Sequence, residues 1–496
     1  MSAARWKDRQ LWLAALFAAL VLAFYLDAQS AIGLLGPDEP RYASIGREMA
    51  HSGDWMTPRL WGEPWFEKPP LLYWMTGAAF RLGFANELAP RVPVALLSAL
   101  FLVFQWAVLR RLLGEAVAWA ATQMLATCAG WAAYSFVAVT DLPLAVFFQS
   151  AVLLAWLWLE TGRQSALYGA AGALAAAVLA KGLVPVVLIL PVLWLSRRRW
   201  RQWLGPAALA AALAAPWFAL MLWLHGRAFF DEFFLRHHLS RFTSSELQHV
   251  QPFWFYVPVL LAGLLPWTPV PLLTGWRAWR DTRLKIPLFI LVFGFVFFSL
   301  SRNKLPGYLL PLLPSFCILS AAGLVEARTA GRAFFWTVML ASLAPAAAGM
   351  LPEALLYGIR AAGFTGLRWE LTAALIPAGL LAWWLDGRGR RMAAAALVAV
   401  VAGGLLWHVK RSAAPALDEL VSARGLWRRA AANRDHICIL RLHRTWRYGV
   451  AYYAGAPLPD CAVRPLPLAI DQAPGAFPRI VPLVQTGIAA GGPAIE

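Results

Sequence analysis

The sequence predicts an all-α polytopic membrane protein, with interfacial helices in its first outer loop and a small C-terminal α/β domain. Three observations carry that reading. The 496-residue chain is 60% hydrophobic with a mean hydropathy of +0.58. A soluble core cannot bury that much apolar surface and still coat its exterior with polar residues. Its 27 tryptophans suit a bilayer boundary, where the indole ring lies in hydrocarbon and its N–H at headgroup depth. The formal charge of +18 falls in short basic knots between apolar runs rather than on one amphipathic face. That pattern argues against nucleic acid and for anchoring at the inner membrane surface.

A helix needs about 20 apolar residues to cross the hydrocarbon. The first run, 11–26, follows Arg5, Lys7 and Arg9 and resembles the opening of a signal peptide. No small-x-small cleavage site follows, so it is expected as a retained helix spanning 10–27. Further spans are expected near 91–110, 115–134, 141–160, 165–180, 182–196, 203–224, 253–274, 285–300, 305–325, 333–350, 370–386 and 392–409, about thirteen in all. Lys181-Gly182 divides a run that reads as one long helix or two short ones.

With the N-terminus in the cytoplasm, the inner loops hold Arg110-Arg111, Arg163, Arg197-Arg198-Arg199 with Arg201, the segment 277–285, Arg328 with Arg332, and Arg388 with Arg390-Arg391. Each is net basic or close to it, as cytoplasmic loops should be. An odd number of spans then puts the tail outside. Residues 1–409 are expected as the transmembrane domain and 410–496 as a small periplasmic one, of roughly 85 residues. Its "HICIL" reads as a strand, and "GAPLPDC" and "QAPGAFP" as turns. Of the four cysteines, Cys128 and Cys317 lie in apolar runs and read as packing residues, while Cys438 and Cys461 can pair if the tail is extracytoplasmic.

The same alternation gathers the unusual polar residues on the outer face, above all in the loop 28–90. "GPDEPRYASIGREM" (36–49) sets Asp38 and Glu39 after the turn residue Pro37, then Tyr42, Ile45 and Met49 at helical spacing. A short interfacial helix fits, its acids favoured by the N-terminal dipole. The two acids read either as helix caps or as groups placed to accept a proton or hold a cation. Further on, "GDWMTPRLWGEPWFEKPPLLYW" (53–74) combines an aromatic belt with Glu67-Lys68 before Pro69-Pro70. Lys68 suits a phosphate or a structural ion pair.

Asp141 in "VTDLP" reads as an N-cap with Thr140 or as a second functional acid, and Lys181 in "AKGLVP" as a functional or a snorkelling cation. The segment 225–256 holds His225, His237, His238 and His249 with Asp231, Glu232 and Glu246, without tight metal-ligand spacing. "SRNKLPGYLLPLLP" places Arg302, Lys304 and Tyr308 at an outer turn. Outward-facing cations there oppose the positive-inside bias, and phosphate binding supplies a reason for them.

Together, "DEPRYASIGREM…GDWMTPRLWGEPWFEKPPLLYW", "VAVTDLPLAVFF", "AKGLVPVV", "RHHLSRF…PFWFYVPVLLAGLLPW" and "SRNKLPGYLLPLLP" resemble the bacterial aminoarabinose lipid A transferases and their relatives. These belong to the GT-C membrane glycosyltransferases, which include the protein O-mannosyltransferases. The resemblance covers most of 10–325 and is expected to fade beyond. It implies transfer of a sugar from a polyprenyl-phosphate donor to an acceptor at the periplasmic face of the bacterial inner membrane. Aminoarabinose and lipid A phosphate are the substrates it points to, with other surface glycans or proteins as acceptors elsewhere in the clade.

By the same resemblance, Asp38 is expected to activate the acceptor or bind a cation, Lys68 to bind the donor phosphate and Glu67 to bind a metal ion. From the residues themselves, Glu39 and Asp141 join Asp38 as candidate catalytic acids, and Arg302, Lys304 and Tyr308 at the outer turn join Lys68 as candidates for the donor phosphate. His238 is a further candidate ligand beside Glu67 for a divalent ion (zinc, magnesium or manganese). A lipid flippase would bind the same donor without chemistry, but needs mid-membrane ionisable groups and internal repeats, and neither is clear. A purely structural role sits poorly with polar residues gathered on one face.

Overall fold

A computed structural model describes residues 3–239, 251–274, 280–357, 363 and 368–483. Each apolar run of the sequence is helical where it is described. Six of these helices are long and apolar enough to cross a bilayer: Leu88–Leu112, Asp141–Thr161, Arg197–Arg236, Thr282–Leu300, Pro306–Glu326 and Arg391–Val421. One apolar cluster runs through the helices and buries Trp131, Trp156, Trp158 and Trp267.

Several expected spans are broken rather than continuous. The run 115–134 stops at Cys128, which is extended at φ −80°, ψ 144°, and resumes as Ala129–Tyr134. The amide freed there, on Ala129, donates to the carbonyl of Leu265 at 2.7 Å. Leu265 itself lies at the break between Tyr256–Leu264 and Pro269–Thr274. Each break satisfies the other, which is how irregular backbone survives where water is absent. The run 165–196 becomes Gln164–Lys181 followed by the short helices Val184–Leu188 and Leu190–Leu195. Pro185 and Pro191 open these pieces, each removing a donor that a single long helix would need.

The first loop, 28–90, contains the expected short helix and a small hairpin. Asp38–Ser52 is a helix with Asp38 and Glu39 in its first turn, where the dipole favours them. Pro40 is tolerated there because first-turn N–H groups have no intrahelical partner. Gly53 closes the helix at φ 78°, a left-handed cap that a side chain would strain. Tyr42, Ile45 and Met49 form the buried face, and burying each is worth roughly 1.5–3 kcal/mol. Beyond it, β1 (Arg59–Leu60) and β2 (Glu63–Pro64) pair antiparallel across Trp61-Gly62. Trp61 holds φ 56°, and its ring stacks on Tyr448 of the tail at 5.7 Å.

The tail contains β3 (Ile437–Arg441), β4 (Leu468–Asp471) and β5 (Arg479–Pro482) in the order β3-β4-β5. The β3–β4 pair is parallel, so the chain must cross over between them, and the helix Arg444–Ala454 makes that crossing. Leu426, Ile437, Ile439, Val450 and Ile470 form a separate small core, and Cys438 is bonded to Cys461. The tail docks on the first loop. Tyr453 accepts from the Leu34 amide at 2.9 Å and donates to Glu87 at 2.8 Å, while Asp418 accepts from the Gly33 amide at 2.7 Å.

Candidate active site

The two adjacent acids of the first loop part company. Glu39 is fully buried and meets Arg91 through both oxygens, Oε1 to Nε at 2.7 Å and Oε2 to Nη2 at 2.8 Å. It also accepts from the amides of Leu35 at 2.7 Å and Ala138 at 2.9 Å. The other Arg91 donors go to the carbonyls of Gln29, Ile32 and Gly33. Every lone pair and proton of this pair is used inside the fold. Glu39, expected as a catalytic acid, instead ties the loop to the first turn of Leu88–Leu112 and does not reach the cavity.

Asp38 turns the other way and stays about half exposed. Its Oδ1 lies 2.5 Å from Arg41 Nη2, which also meets Glu67 Oε2 at 2.9 Å. Glu67 Oε1 in turn accepts from Lys68 Nζ at 2.8 Å. Acid and base therefore alternate from Asp38 through Arg41 and Glu67 to Lys68. Rings of Trp65 and Tyr448 lie 5.1 and 5.3 Å from the Arg41 guanidinium. Burial opposes the charge on Arg41, but Glu67 and then Asp38 outweigh it and hold its pKa above the ordinary arginine value.

A second cluster forms at Asp141. Lys181 Nζ donates to Asp141 Oδ1 at 2.6 Å and sits 5.1 Å from the ring centre of Tyr308. Thr140 makes no side-chain cap for the helix it precedes, so Asp141 is held by the lysine. Gly307 permits this packing, since a Cβ there would come within 2.6 Å of Asp141 Oδ1.

Both clusters line one cavity of about 510 Å³, within the range of small-molecule sites. Asp38, Glu67, Lys68, Asp141 and Tyr308 of the sequence expectations all face it. So do Arg41, Lys181, Asn303, Glu232 and Arg236, and Arg444 from the tail.

The turn 301–305 departs from expectation. Arg302 is exposed and is not among the lining residues, while Asn303 is. Lys304 is buried, donating to the carbonyls of Ser301 and Gln251, and its burial lowers its pKa. In so short a turn the ammonium tethers the backbone, and the neighbouring amide faces the cavity.

The divalent site expected at Glu67 includes His238, whose side chain lies outside the described residues. Both Glu67 oxygens are taken by cations, and no group of three or more His, Cys, Asp or Glu gathers among the described residues. His249, Glu246 and the side chains of His237 and His238 lie outside the described residues.

Sequence reasoning passed over Arg41, although it stands in the quoted stretch two residues after the acid pair. The signal was available, because an arginine three residues after an aspartate can turn back to it on a helix. Arg444 had no local signal, since only the docking of the tail brings it here.

The chain is similar to known proteins throughout. The family model for dolichyl-phosphate-mannose-protein mannosyltransferases matches residues 67–223. The undecaprenyl phosphate-α-4-amino-4-deoxy-L-arabinose arabinosyl transferase of Pseudomonas aeruginosa (strain UCBPP-PA14) is 30% identical over 93% of this chain and 89% of its own length. That of Erwinia tasmaniensis is 35% identical over 62% of this chain and 58% of its own length. The crystal structure of ArnT from Cupriavidus metallidurans bound to undecaprenyl phosphate superposes with a TM-score of 0.74 at 23% identity, covering 96% of this chain and 87% of that one. The similarity expected to fade beyond residue 325 thus runs through nearly the whole chain, tail included. With this cavity on this helical frame, the chain belongs to the family of undecaprenyl phosphate-α-4-amino-4-deoxy-L-arabinose arabinosyl transferases and is a multi-pass membrane glycosyltransferase.

Proposed function

We propose that this enzyme transfers 4-amino-4-deoxy-L-arabinose from an undecaprenyl-phosphate donor to a phosphate of lipid A. The observation that carries the reading is the shared cavity. Asp38, Lys68 and Asp141 come from three separate segments and line one space, in a family whose named members use that donor.

An acceptor phosphate oxygen attacks the anomeric carbon while the bond from that carbon to the donor phosphate oxygen breaks. The electron pair of that bond leaves with undecaprenyl phosphate. Negative charge grows on the leaving phosphate, so fixed cations beside it lower the barrier. Lys68 takes that role, with Arg41 next to it through Glu67, and Lys181 lines the same cavity. An acceptor phosphate brings its own negative oxygen and needs little deprotonation. Asp38 therefore orients the acceptor and its attack opposite the leaving group, and Asp141 holds Lys181 and packs at Tyr308. Glu67 acts as the strut between Arg41 and Lys68.

In the same reading the chain crosses the inner membrane about thirteen times, with the N-terminus cytoplasmic, the cavity at the periplasmic face, and residues 410–496 as a periplasmic domain. The basic inner loops support this orientation, and the bond between Cys438 and Cys461 supports an oxidising compartment for the tail.

The test is reconstitution of the purified full chain in liposomes with undecaprenyl phosphate-aminoarabinose and lipid A, followed by mass spectrometry. Aminoarabinose-bearing lipid A and undecaprenyl phosphate should appear in equal amounts. Donor flipped across the bilayer with no sugar on lipid A would make the protein a transporter instead.

A further inference from the structure

The charges around the cavity do not cancel. Its acids are Asp38, Glu67, Asp141 and Glu232, and each is met by a cation that also lines it. Arg41 pairs with Asp38 and Glu67, Lys68 with Glu67, Lys181 with Asp141, and Arg236 with Glu232. Arg444 lines the same cavity, yet its side chain has no ion pair or hydrogen bond among the described residues. It is also the first residue of the helix Arg444–Ala454, where the positive end of the macrodipole disfavours a cation. Helix stability gives no reason for an arginine at this position.

The helix that carries it is firmly seated. One turn on, Tyr448 stacks on Trp61 at 5.7 Å and lies 5.3 Å from the Arg41 guanidinium. A turn further, the Tyr452 hydroxyl donates to the Asn86 carbonyl at 2.9 Å and its ring lies 4.5 Å from the Arg47 guanidinium. The start of that helix is thus held at the cavity by a domain that has its own core, and Arg444, which lines the cavity, is exposed. Its guanidinium is left with an open hydrogen-bonding fork of the kind that matches a phosphate.

We propose that Arg444 binds a phosphate of the acceptor and makes the tail a specificity element of the site. Lys68, Arg41 and Lys181 are already assigned to the donor phosphate and its growing charge. The cation brought by the tail is left for the second anionic substrate. This rests on the reading that the cavity accepts a phosphorylated lipid, and the experiment separates the two claims.

The full chain in nanodiscs is titrated with bisphosphoryl lipid A, monophosphoryl lipid A and undecaprenyl phosphate, as wild type, Arg444→Ala and Arg444→Lys. Thermal unfolding of each variant checks that the tail stays folded. Arg444→Ala should weaken bisphosphoryl lipid A about tenfold, as expected for a lost charge-assisted fork, and leave undecaprenyl phosphate unchanged. Arg444→Lys should recover part of the loss. The variant should lose less on the monophosphoryl lipid if its missing phosphate is the one bound, and lose the same if the retained phosphate is. Unchanged binding of both lipid A forms, or an equal loss for undecaprenyl phosphate, would overturn the proposal. Sugar transfer by the wild type is measured alongside. Its absence despite phosphate-dependent lipid A binding would sink the catalytic reading and leave the Arg444 assignment standing.

Discussion

The carboxylate of Glu39 is sealed at 0% exposure against Arg91, whereas that of Asp38, one residue earlier, is 48% exposed at the cavity. Successive residues of a helix point about 100° apart, so one acid of the pair faces the protein and the other faces the substrate space. The inward acid is matched by an arginine and two backbone amides and serves the fold. The outward acid joins an arginine that it shares with Glu67, and its remaining surface is open. An acid pair at a helix start therefore says little about chemistry until the faces are known.

The contrast can be broken first at its buried end. Glu39→Gln removes the charge opposite Arg91 and leaves an uncompensated guanidinium inside the protein. A loss of about 3–5 kcal/mol is expected for breaking such a pair, read as a drop in thermal midpoint in detergent and a matching fall in folded yield. A variant that stays stable but inactive would instead return Glu39 to the chemistry. The exposed turn should give the smallest effect. Arg302→Cys is expected to keep transfer within about twofold, since surface changes away from built contacts usually cost under about 0.5 kcal/mol. The same cysteine should react with a membrane-impermeant maleimide without permeabilising the inner membrane. Reaction only after permeabilisation would invert the topology.

Much of this was legible in the chain. Apolar runs of membrane length marked the helices, and the helix Asp38–Ser52 was visible from Tyr42, Ile45 and Met49 at helical spacing. Five of the expected site residues (Asp38, Glu67, Lys68, Asp141 and Tyr308) meet at the cavity, because polar residues at the ends of apolar helices have few other reasons to be there. The failures have physical causes. Lys304 and Arg302 were read by charge alone, and charge does not reveal that a lysine in a tight turn bonds its own backbone. The break at Cys128 depends on the carbonyl of Leu265, a partner far along the chain. Arg444 depends on tertiary docking, and no local pattern in the tail hints at a cavity formed mainly by segments more than a hundred residues away.

The central claim is that Asp38 and Lys68 act on substrate rather than holding the loop. Its direct test is the transfer rate per folded molecule of Asp38→Asn and Lys68→Ala, measured with saturating donor and acceptor beside their thermal midpoints. The expected rate per folded molecule is at least about 100-fold lower in each, as for removal of a group that stabilises transition-state charge, with the Asp38→Asn midpoint close to wild type and the Lys68→Ala midpoint lowered, because Lys68 and its partner Glu67 are both buried. A rate per folded molecule near wild type in either variant, or an Asp38→Asn loss matched by unfolding, would contradict it.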